Sequence, residues 1–376
     1  MSDIVSGILK RTKKGEGVLI NPAQPPRSKQ SKVIVPAQLM QEHGLVEGAT
    51  VAGPVQEGNG GAELGAVESV GGLTPEAFRE RLPYNRLVAI DPCERFNLSI
   101  TGDRSMRVVD LVAPIGKGTR GLIVSPPKAG KTMLLEKITK SIRAGNPDMR
   151  IIVLLIDERP EEVTYFRRAV DAEVIASSND QGPREHVALS RLMLAHIRTE
   201  LECGRDLVVL VDSITRMARN FNLKGSGRDR GRSLSGGLEA GALEIPRRFF
   251  GLARNVEGGG SVTIIATTLV DTGSRMDQLI FEEFKGTGNS EIILDRSLVQ
   301  GRIFPAIDVT ASGTRKEFLL YDEDNVQRLA ALRRGWAERR PKGAILSLFR
   351  LLKQYPTNDE LLRNVPLWTE DELWRG

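Results

Sequence analysis

Residues 121–132 read GLIVSPPKAGKT, and this stretch decides the fold class. The apolar run GLIVS lacks polar alternation, which predicts a strand buried on both faces. Helical apolar spacing begins after Thr132, so the residues between form a strand-to-helix loop. That loop matches the pattern GxxxxGK[ST], except that Ser125 replaces the first glycine. A chance match is the alternative, but strand, loop and helix fall where a phosphate-binding P-loop requires them.

The residue types in this loop fit a bound triphosphate. Backbone amides must wrap the phosphates, and Gly130 lets the chain approach them closely. Lys131 is expected to place its ammonium against the β- and γ-phosphates, and Thr132 to coordinate Mg²⁺. Lys128 offers a second cation near the same phosphates. The predicted nucleotide-binding residues of the loop are Ser125, Pro126, Pro127, Lys128, Ala129, Gly130, Lys131 and Thr132.

Similar apolar runs recur further along the chain. They lie at residues 151–157, 173–177, 207–213 and 261–268. Between the runs, apolar residues recur at helical spacing, for example from Leu134 to Ile142, and such stripes predict core-facing helices. Strands that alternate with helices on this scale predict an open, mostly parallel α/β sheet.

Two of these runs end in carboxylates that suit triphosphate hydrolysis. Asp212 closes LVVLVD, where a carboxylate can hold Mg²⁺ through water. The alternative for Asp212 is a helix cap, because Ser213 and a helical stretch follow. Glu158 follows Asp157 after IIVLLI and is expected to polarise the attacking water. The alternative for this pair is a set of surface charges at a strand end.

Other charged residues have less defined roles. Arg159 is interpreted as a relay or interface group, whereas Glu161 and Glu162 are expected to open the next helix. Arg302, in GRIFPAID, and Arg315, in SGTRKE, lie on predicted β-like segments. In ring ATPases such an arginine reaches the nucleotide of the neighbouring subunit. From the residues alone, both read equally as ordinary surface arginines.

The first 77 residues differ from the rest and contain no Phe, Tyr or Trp. The short pieces GVLI, KVIVP and ATVAGPV, separated by Gly and Pro, predict a small β-barrel. PPRSKQS is interpreted as a loop, and residues 57–73 as a turn or flexible segment. Residues 10–32 carry seven basic side chains against one acid, whereas residues 33–77 carry six glutamates and no Lys or Arg.

Composition limits the remaining choices. A net charge of +5 and a pI near 9.2 permit a polyanionic partner but favour nucleic acid only weakly. Cys93 and Cys203 lie far apart without CxxC spacing, so neither a disulfide nor a metal site is expected. No apolar run approaches the roughly 20 residues that span a bilayer, and the N-terminus lacks a signal-peptide layout. A cytoplasmic protein without a membrane contact is expected.

One set of motifs runs nearly unbroken from about residue 104 to residue 320. It comprises GTRGLIVSPPKAGKT, LLIDERPEEVT, LVDSITRMARNFN, SLSGG, DTGSRMD, EEFKGTGN and RIFPAIDVTASGTRKE. These motifs resemble the bacterial transcription termination factor Rho family, and DERPEEVT is highly specific to it. The resemblance implies a RecA-like P-loop ATPase core in a homohexameric, ATP-dependent RNA translocase and RNA–DNA helicase. It also implies ATP and Mg²⁺ as cofactors, and single-stranded RNA and the RNA polymerase transcription complex as partners.

The resemblance assigns roles around the nucleotide. Glu158 resembles the catalytic glutamate, and Asp212 the magnesium-associated aspartate. Arg315 resembles the arginine finger, and Arg302 a second interface arginine. The remaining assignments are Lys128, Lys131 and Thr132 on the phosphates and metal, Phe304 stacked on adenine, and Met133 beside it.

The resemblance also locates two pore loops. Residues 232–237 resemble the loop that lines the central pore, with Ser235 in place of threonine. Residues 271–276 resemble the second pore loop, with Arg275 in place of lysine. Both exchanges keep the donor type, so contact with the RNA backbone is expected, although Arg and Lys differ in hydration and geometry. The implied RNA-binding residues are Arg232, Ser235, Gly236, Gly237 and Arg275.

The N-terminal part departs from the family. Rho-like proteins usually carry a cold-shock/OB domain that captures RNA on aromatic rings, whereas no aromatic residue precedes Phe78 here. Stacking worth about 1–3 kcal/mol per base is therefore missing. We expect RNA binding by this part to be weakened, moved to the basic residues 10–32, or lost. The helical subdomain that precedes the barrel in the family is expected to be missing.

The predicted organisation has four parts. They are a divergent OB/cold-shock-like domain (1–77), a linker (78–104), a RecA-like motor (105–340) and a C-terminal helical tail (341–376). The sequence is interpreted as an RNA-stimulated ATPase that terminates transcription. Two alternatives are a Rho-like ring that has lost termination and acts as a regulator, and a rotary-type ATPase subunit. The two pore loops disfavour the rotary alternative.

Overall fold

The computed structural model describes residues 4–23, 32–58, 61–225, 237–239, 241–337 and 339–366. The segment PPRSKQS and most of the predicted first pore loop lie outside the described residues. Two sheets organise the described part, a small one near the N-terminus and a larger one after it. Across these ranges, no helix is long and apolar enough to cross a membrane.

The small sheet closes on itself. Its elements are β1 (Ile4–Arg11), β2 (Gly17–Ile20), β3 (Val33–Val35), α1 (Ala37–Glu42), β4 (Thr50–Gly58), β5 (Gly61–Leu64) and β6 (Ser69–Val70), followed by α2 (Pro75–Glu80). The strands pair in the order β1-β2-β3-β5-β4-β6, and β1 also pairs with β4. Leu9, Leu64 and Val70 are fully buried, and Phe78 from α2 joins their core. The predicted small barrel is confirmed.

The interpretation of residues 57–73 as a turn or flexible segment is wrong. These residues contain β5 and β6, and β5 pairs with both β3 and β4. Leu64 and Val70 are fully buried, so this glycine-rich stretch still supplies apolar side chains to the core. The glycines around Leu64 and Val70 interrupt the alternation of apolar and polar residues by which a strand is recognised in the sequence. The predicted domain boundary near residue 77 falls inside α2.

The second sheet and its helices follow. The chain passes through β7 (Ala89–Ile90), α3 (Arg104–Val112), β8 (Arg120–Ser125), α4 (Lys131–Gly145), β9 (Arg150–Glu158), α5 (Pro160–Ala169), β10 (Glu173–Ser178), α6 (Pro183–Glu202), β11 (Asp206–Asp212) and α7 (Ile214–Gly225). It continues through α8 (Glu244–Phe250), β12 (Arg254–Val256), β13 (Ser261–Leu269), α9 (Arg275–Lys285), β14 (Ser290–Ile293), α10 (Arg296–Gln300), β15 (Gly313–Thr314), α11 (Glu323–Ala337), α12 (Pro341–Gln354) and α13 (Asn358–Arg363).

The larger sheet is mostly parallel. Its strands pair in the order β10-β9-β11-β13-β8-β14-β15, and the pairs from β10 to β14 are all parallel. The five apolar runs of the sequence are β8, β9, β10, β11 and β13, and their side chains divide between two cores on the opposite faces of the sheet. The predicted α/β fold is confirmed. Because the strands are parallel, the residues that follow β8, β9, β11 and β13 meet at one edge of the sheet.

The barrel docks on α6 through close polar contacts. His196 Nδ1 donates to the carbonyl oxygen of Gly48 at 2.8 Å, and Thr50 Oγ1 donates to Glu200 at 2.7 Å. Gly48 has φ +90, and a Cβ there would lie 2.4 Å from the backbone of Ala195. Only glycine fits this approach without moving the backbone of α6. The junction is therefore a packed interface.

The C-terminal helices are anchored to α3 by one buried arginine. Arg107 is 5% exposed and donates to Asn358 Oδ1 at 3.0 Å and to the carbonyl oxygens of Leu352 and Tyr355 at 2.9 and 2.8 Å. Asn358 in turn donates to Asp110 at 3.0 Å. These bonds satisfy the carbonyls at the end of α12, which lack helical partners.

We expect Arg107→Ala to lower the free energy of unfolding by about 3 kcal/mol, because it leaves several buried acceptors without donors. Urea denaturation followed by circular dichroism measures this change. Arg334→Ala, an exposed arginine on α11, is the matched control and should change stability by less than about 0.5 kcal/mol. Equal effects of the two substitutions would contradict the anchoring role.

Candidate active site

The P-loop joins β8 to α4. Ser125 is buried at the end of β8, and its hydroxyl donates to the carbonyl oxygen of Pro126 at 2.8 Å. Gly130 precedes the first residue of α4 with φ +97. Space is open where its Cβ would stand, so this left-handed backbone, rather than crowding, requires glycine. Lys128 also has a left-handed backbone, with φ 64. The loop thus ends at the N-terminus of a 15-residue helix, where the helix dipole favours phosphate.

Two carboxylates converge on the P-loop lysine. Lys131 Nζ lies 2.5 Å from Asp212 Oδ2 and 3.3 Å from Glu158 Oε1. Both carboxylates are 0% exposed. They come from the ends of β11 and β9, which are neighbouring parallel strands. The structure therefore brings together three of the residues predicted from separate motifs.

Asp212 has a second donor and does not cap the next helix. Thr267 Oγ1, on β13, donates to Asp212 Oδ1 at 2.8 Å. The capping contact at the start of α7 belongs to Ser213, whose hydroxyl accepts from the Arg216 amide at 3.2 Å. Asp212 is thus held rigidly on the sheet edge with its charge toward Lys131.

Glu162 completes a carboxylate cluster that the sequence did not reveal. Oxygen atoms of Glu158, Glu162 and Asp212 all lie within 4.8 Å of one another, and Thr132 Oγ1 is 3.4 Å from Glu162 Oε2. Glu158 Oε2 is buried without a hydrogen-bond partner among the described residues. Carboxylate oxygens are the ligands that Mg²⁺ prefers, so this donor set fits the predicted cofactor. Glu162 was interpreted as a helix-opening acid because its position in the first turn of α5 fully accounts for it.

Arg216 is a second site residue that sequence reasoning missed. Its Nε lies 3.1 Å from Glu158 Oε1, and its Nη1 donates to the carbonyl oxygen of Asp157. The Asp157 side chain accepts from Asn220 at 3.2 Å, and its backbone is left-handed, with φ 58. The only signal in the sequence was spacing, since Arg216 follows Asp212 by one helical turn. Arg216 favours the charged form of Glu158 and so lowers its pKa.

The electrostatics of the cluster tune its proton affinity. Burial and repulsion from Asp212 raise the pKa of Glu158 to about 7, against the lowering influence of Lys131 and Arg216. Burial opposes the charged form of Lys131, but Asp212 and Glu158 together raise its pKa. A carboxylate with a pKa near 7 can accept a proton from water at neutral pH. The cluster therefore offers a base, a cation and a metal-binding donor set in one place.

Phe304 and Arg302 lie on the same edge of the sheet as the P-loop. Leu294, just after β14, donates its amide to the Val124 carbonyl at 2.9 Å and forms an isolated bridge with Ile307. Arg302 is exposed in the turn after α10, with φ 55. The prediction that it lies on a β-like segment is therefore wrong. Only Ile307 forms a β-bridge in this part of the described chain, and the residues before it form a loop. The Phe304 side chain is 41% exposed.

Arg315 lies at the opposite edge. It follows β15, in which Thr314 pairs with Ser290, and Ser290 pairs with Gly121 at the start of β8. The P-loop follows the other end of β8, about 13 Å away along the strand. Arg315 is exposed and therefore lies away from the P-loop of its own chain.

The predicted RNA-binding residues are only partly described. Arg232, Ser235 and Gly236 lie outside the described residues. Gly237 accepts a hydrogen bond from Asn222 at 3.0 Å, which pins the end of the first loop to α7. Arg275 is exposed as the first residue of α9, beyond the carboxyl end of β13.

Comparisons with known proteins agree with this geometry. Residues 105–314 match the ATP synthase alpha/beta family, nucleotide-binding domain. The transcription termination factor Rho of Cereibacter sphaeroides is 44% identical over 361 residues, covering 94% of this chain and 85% of that protein. The chain belongs to the transcription termination factor Rho family. It carries a nucleotide-binding P-loop ATPase core, as predicted.

Two further comparisons define the extent of the likeness. Rho of Streptomyces lividans is 46% identical over 337 residues, and the chain spans 47% of its length, about half of that longer relative. An ATPase of the type III secretion system of pathogenic bacteria superimposes with a TM-score of 0.62 at 20% identity. That comparison covers 75% of this chain and 87% of the other, and it shows a shared fold alone.

The raised pKa of Glu158 makes the stability of the nucleotide-free protein depend on pH. Between the ordinary value of 4.5 and about 7, the folded protein binds a proton that the unfolded chain has lost. Stability should therefore fall as the pH rises through this window, by roughly 3 kcal/mol, and level off above it. Glu158→Gln should remove this slope in urea denaturation measured from pH 5 to pH 8.

Glu161→Gln is the matched control, because Glu161 is an exposed neighbour on α5. It should keep the slope of the parent protein. An unchanged slope in Glu158→Gln would show that the proton is bound elsewhere.

Proposed function

We propose that this chain is an ATP-driven translocase of single-stranded RNA that works as a homohexameric ring in transcription termination. The observation that carries the proposal is the buried cluster of Lys131, Glu158 and Asp212 at the P-loop of a Rho-family chain. The expected partners are RNA in the central pore and the RNA polymerase transcription complex. The strong likeness to Rho proteins favours termination over a purely regulatory ring.

Hydrolysis follows from the arrangement of the cluster. Glu158 accepts a proton from the attacking water, whose oxygen then bonds to the γ-phosphorus of ATP while the bond to the bridging oxygen of ADP breaks. Lys131 lies where it can donate to the β- and γ-phosphate oxygens as negative charge shifts between them. Mg²⁺, held by Thr132 and Asp212, supplies charge neutralisation of the phosphates when bound.

The same lysine couples nucleotide binding to the carboxylates. In the described structure Lys131 is shared between Asp212 and Glu158. A triphosphate competes with both carboxylates for the ammonium, which releases Glu158 to face water. Arg216, at 3.1 Å, keeps Glu158 charged and oriented during this exchange. Loss of the Lys131 contact removes an influence that lowers the pKa of Glu158, so this carboxylate becomes a stronger base.

Arg315 is proposed as the arginine finger that acts in trans. Its position at the amino edge of the sheet, remote from its own P-loop, supports contact with the nucleotide of a neighbouring subunit. Hydrolysis then depends on assembly, because no single chain supplies the full set of charges. Arg302 is proposed as a second interface arginine at the carboxyl edge.

Phe304 and Met133 are proposed as the adenine contacts. Both are large apolar side chains that are exposed, at 41% and 49%, and so are available to contact a base. Phe304 lies on the P-loop edge of the sheet, and Met133 follows the phosphate-binding residues directly. A planar base between them would remove both from water.

Lys131→Ala should lower the turnover number for ATP at least about 100-fold, because it removes the cation that meets the transferred phosphate. Coupled-enzyme assays with oligopyrimidine RNA at saturating ATP measure this loss. Lys140→Ala, further along α4, is the control, since Lys140 pairs only with Glu136 among the described residues. If Lys131→Ala keeps the parent rate, the P-loop assignment is wrong.

Arg275→Ala should leave nucleotide affinity unchanged but reduce stimulation of ATP turnover by RNA, because Arg275 is proposed to contact the RNA backbone. The comparison requires basal and RNA-stimulated rates, with nucleotide affinity from fluorescence titration. Arg296→Ala is the matched control, since Arg296 is likewise the exposed first residue of a helix, α10. An undiminished RNA response would remove Arg275 from the RNA path.

A further inference from the structure

A cleft of about 510 Å³ lies between the barrel and the larger domain. Four segments of the chain form its walls, and we call this cavity the junction cleft. They are the loop before β4, the segment after α2, one face of α6, and α8 with the turn that follows it. The floor is apolar, with Leu194 and Leu252 among its residues. The cleft is separate from the nucleotide site, which lies at the carboxyl edge of the sheet.

The charge of the junction cleft is positive. Four arginines line it (Arg81, Arg191, Arg198 and Arg248), against two glutamates, Glu47 and Glu202. Glu202 is buried and already neutralised, because Arg81 and Arg198 approach it to 3.1 and 3.0 Å. It also accepts from the Tyr84 amide at 3.0 Å. Only Glu47, exposed on the barrel side, opposes the cations.

Two of these arginines, Arg191 and Arg248, remain available to bind an anion. Arg191 is exposed, and no carboxylate among the described residues lies within 4.0 Å of it. Its guanidinium lies over the ring of Phe221 at 5.8 Å, which orients it without neutralising it. The Arg248 side chain is 58% exposed and has one distant partner, Glu244, at 3.6 Å in the same helix. Such an exposed pair contributes little, so Arg248 can exchange it for a phosphate.

Tyr84 fixes the wall of the cleft. Its ring lies 5.5 Å from the guanidinium of Arg198 and 4.1 Å from that of Arg254, and its hydroxyl donates to the carbonyl oxygen of Gly251 at 3.3 Å. These contacts hold the segment after α2 against α6 and the end of α8. The arginines are therefore presented on a preorganised surface, which lowers the entropy lost on binding.

The cleft adjoins the elements that carry both predicted pore loops. Arg191 contacts Phe221 on α7, which directly precedes the first loop. Arg248 lies on α8, which follows that loop, and its neighbour Arg247 forms a 2.7 Å ion pair with Glu283 on α9. The second predicted loop ends where α9 begins, at Arg275. The cleft thus lies beside helices that flank the two predicted pore loops in the sequence.

We propose that the junction cleft binds the phosphate backbone of single-stranded RNA without sequence preference. This inference rests on the proposed function, because it takes RNA as the substrate. The barrel has no aromatic ring before Phe78 on which bases could stack, whereas the cleft offers guanidinium groups that suit phosphates. An acidic polypeptide would use the same charges, but the position of the cleft beside α7 and α8, which flank the first predicted pore loop, favours RNA.

The test uses the full chain and the double variant Arg191→Gln/Arg248→Gln. Anisotropy titrations with labelled oligouridine at several salt concentrations give the affinity and its salt slope. Loss of two phosphate contacts should weaken binding roughly fivefold and reduce the slope of log Kd against log salt by about 1.4. Arg334→Gln/Arg339→Gln removes two exposed arginines from the C-terminal region and should leave both quantities unchanged.

A second measurement locates the RNA directly. Crosslinking of oligouridine that contains 4-thiouridine to the parent protein should label peptides around Tyr84, Arg191 or Arg248. An unchanged salt slope in the double variant, or crosslinks confined to other regions, would overturn the proposal. Competition by polyglutamate but not by oligouridine would assign the cleft to an acidic protein instead.

The outcomes separate this inference from the proposed function. If RNA fails to stimulate ATP turnover of the parent protein, the proposed function fails whatever the variant does. If the parent responds to RNA and the double variant has the same affinity and slope, only the cleft assignment fails. Basal ATP turnover should be equal in the parent and the double variant, since neither arginine belongs to the nucleotide site.

Discussion

One ammonium group shared between two fully buried carboxylates constrains the rest of the structure. Glu158 and Asp212 have no access to water, and an unpaired carboxylate in such a place is strongly unfavourable. Their charges are offset by Lys131 and Arg216, which come from α4 and α7. The compensation works only if β9 and β11 end together beside the P-loop. A slip of one residue in either strand would turn its carboxylate to the other face of the sheet. The arrangement of charges in the site therefore depends on the register of the sheet.

The parallel sheet also separates the P-loop from Arg315, the proposed arginine finger. The P-loop, the carboxylates and Phe304 gather at the carboxyl edge, whereas Arg315 follows a short antiparallel strand at the amino edge. Arg315 cannot reach the P-loop of its own chain without breaking the pairing of β14 with β8. The proposed ring would resolve the separation if the amino edge of one subunit faces the carboxyl edge of the next.

Much of this could be predicted from the sequence, because long apolar runs and the P-loop are local signals. Five of the six parallel strands were found from such runs, and Lys131, Glu158 and Asp212 from motifs beside them. The four-residue β14 was missed. Two other kinds of feature also escaped. Strands β5 and β6 lie in a glycine-rich stretch whose few apolar residues gain meaning only when the barrel closes. Arg216 and Glu162 contribute through distances between elements, and each has a sufficient local explanation in its own helix.

The barrel illustrates how a domain can keep its place while its surface changes. Its docking on α6 depends on the Gly48 contact with His196 and on the bond between Thr50 and Glu200, neither of which requires aromatic residues. A barrel without stacking rings can therefore remain fixed to the motor. Fixed docking in turn sets the width of the junction cleft, because α6 supplies both the docking contacts and Arg191. The proposed phosphate contacts in the junction cleft would therefore need no aromatic residue on the barrel and no change in the fold.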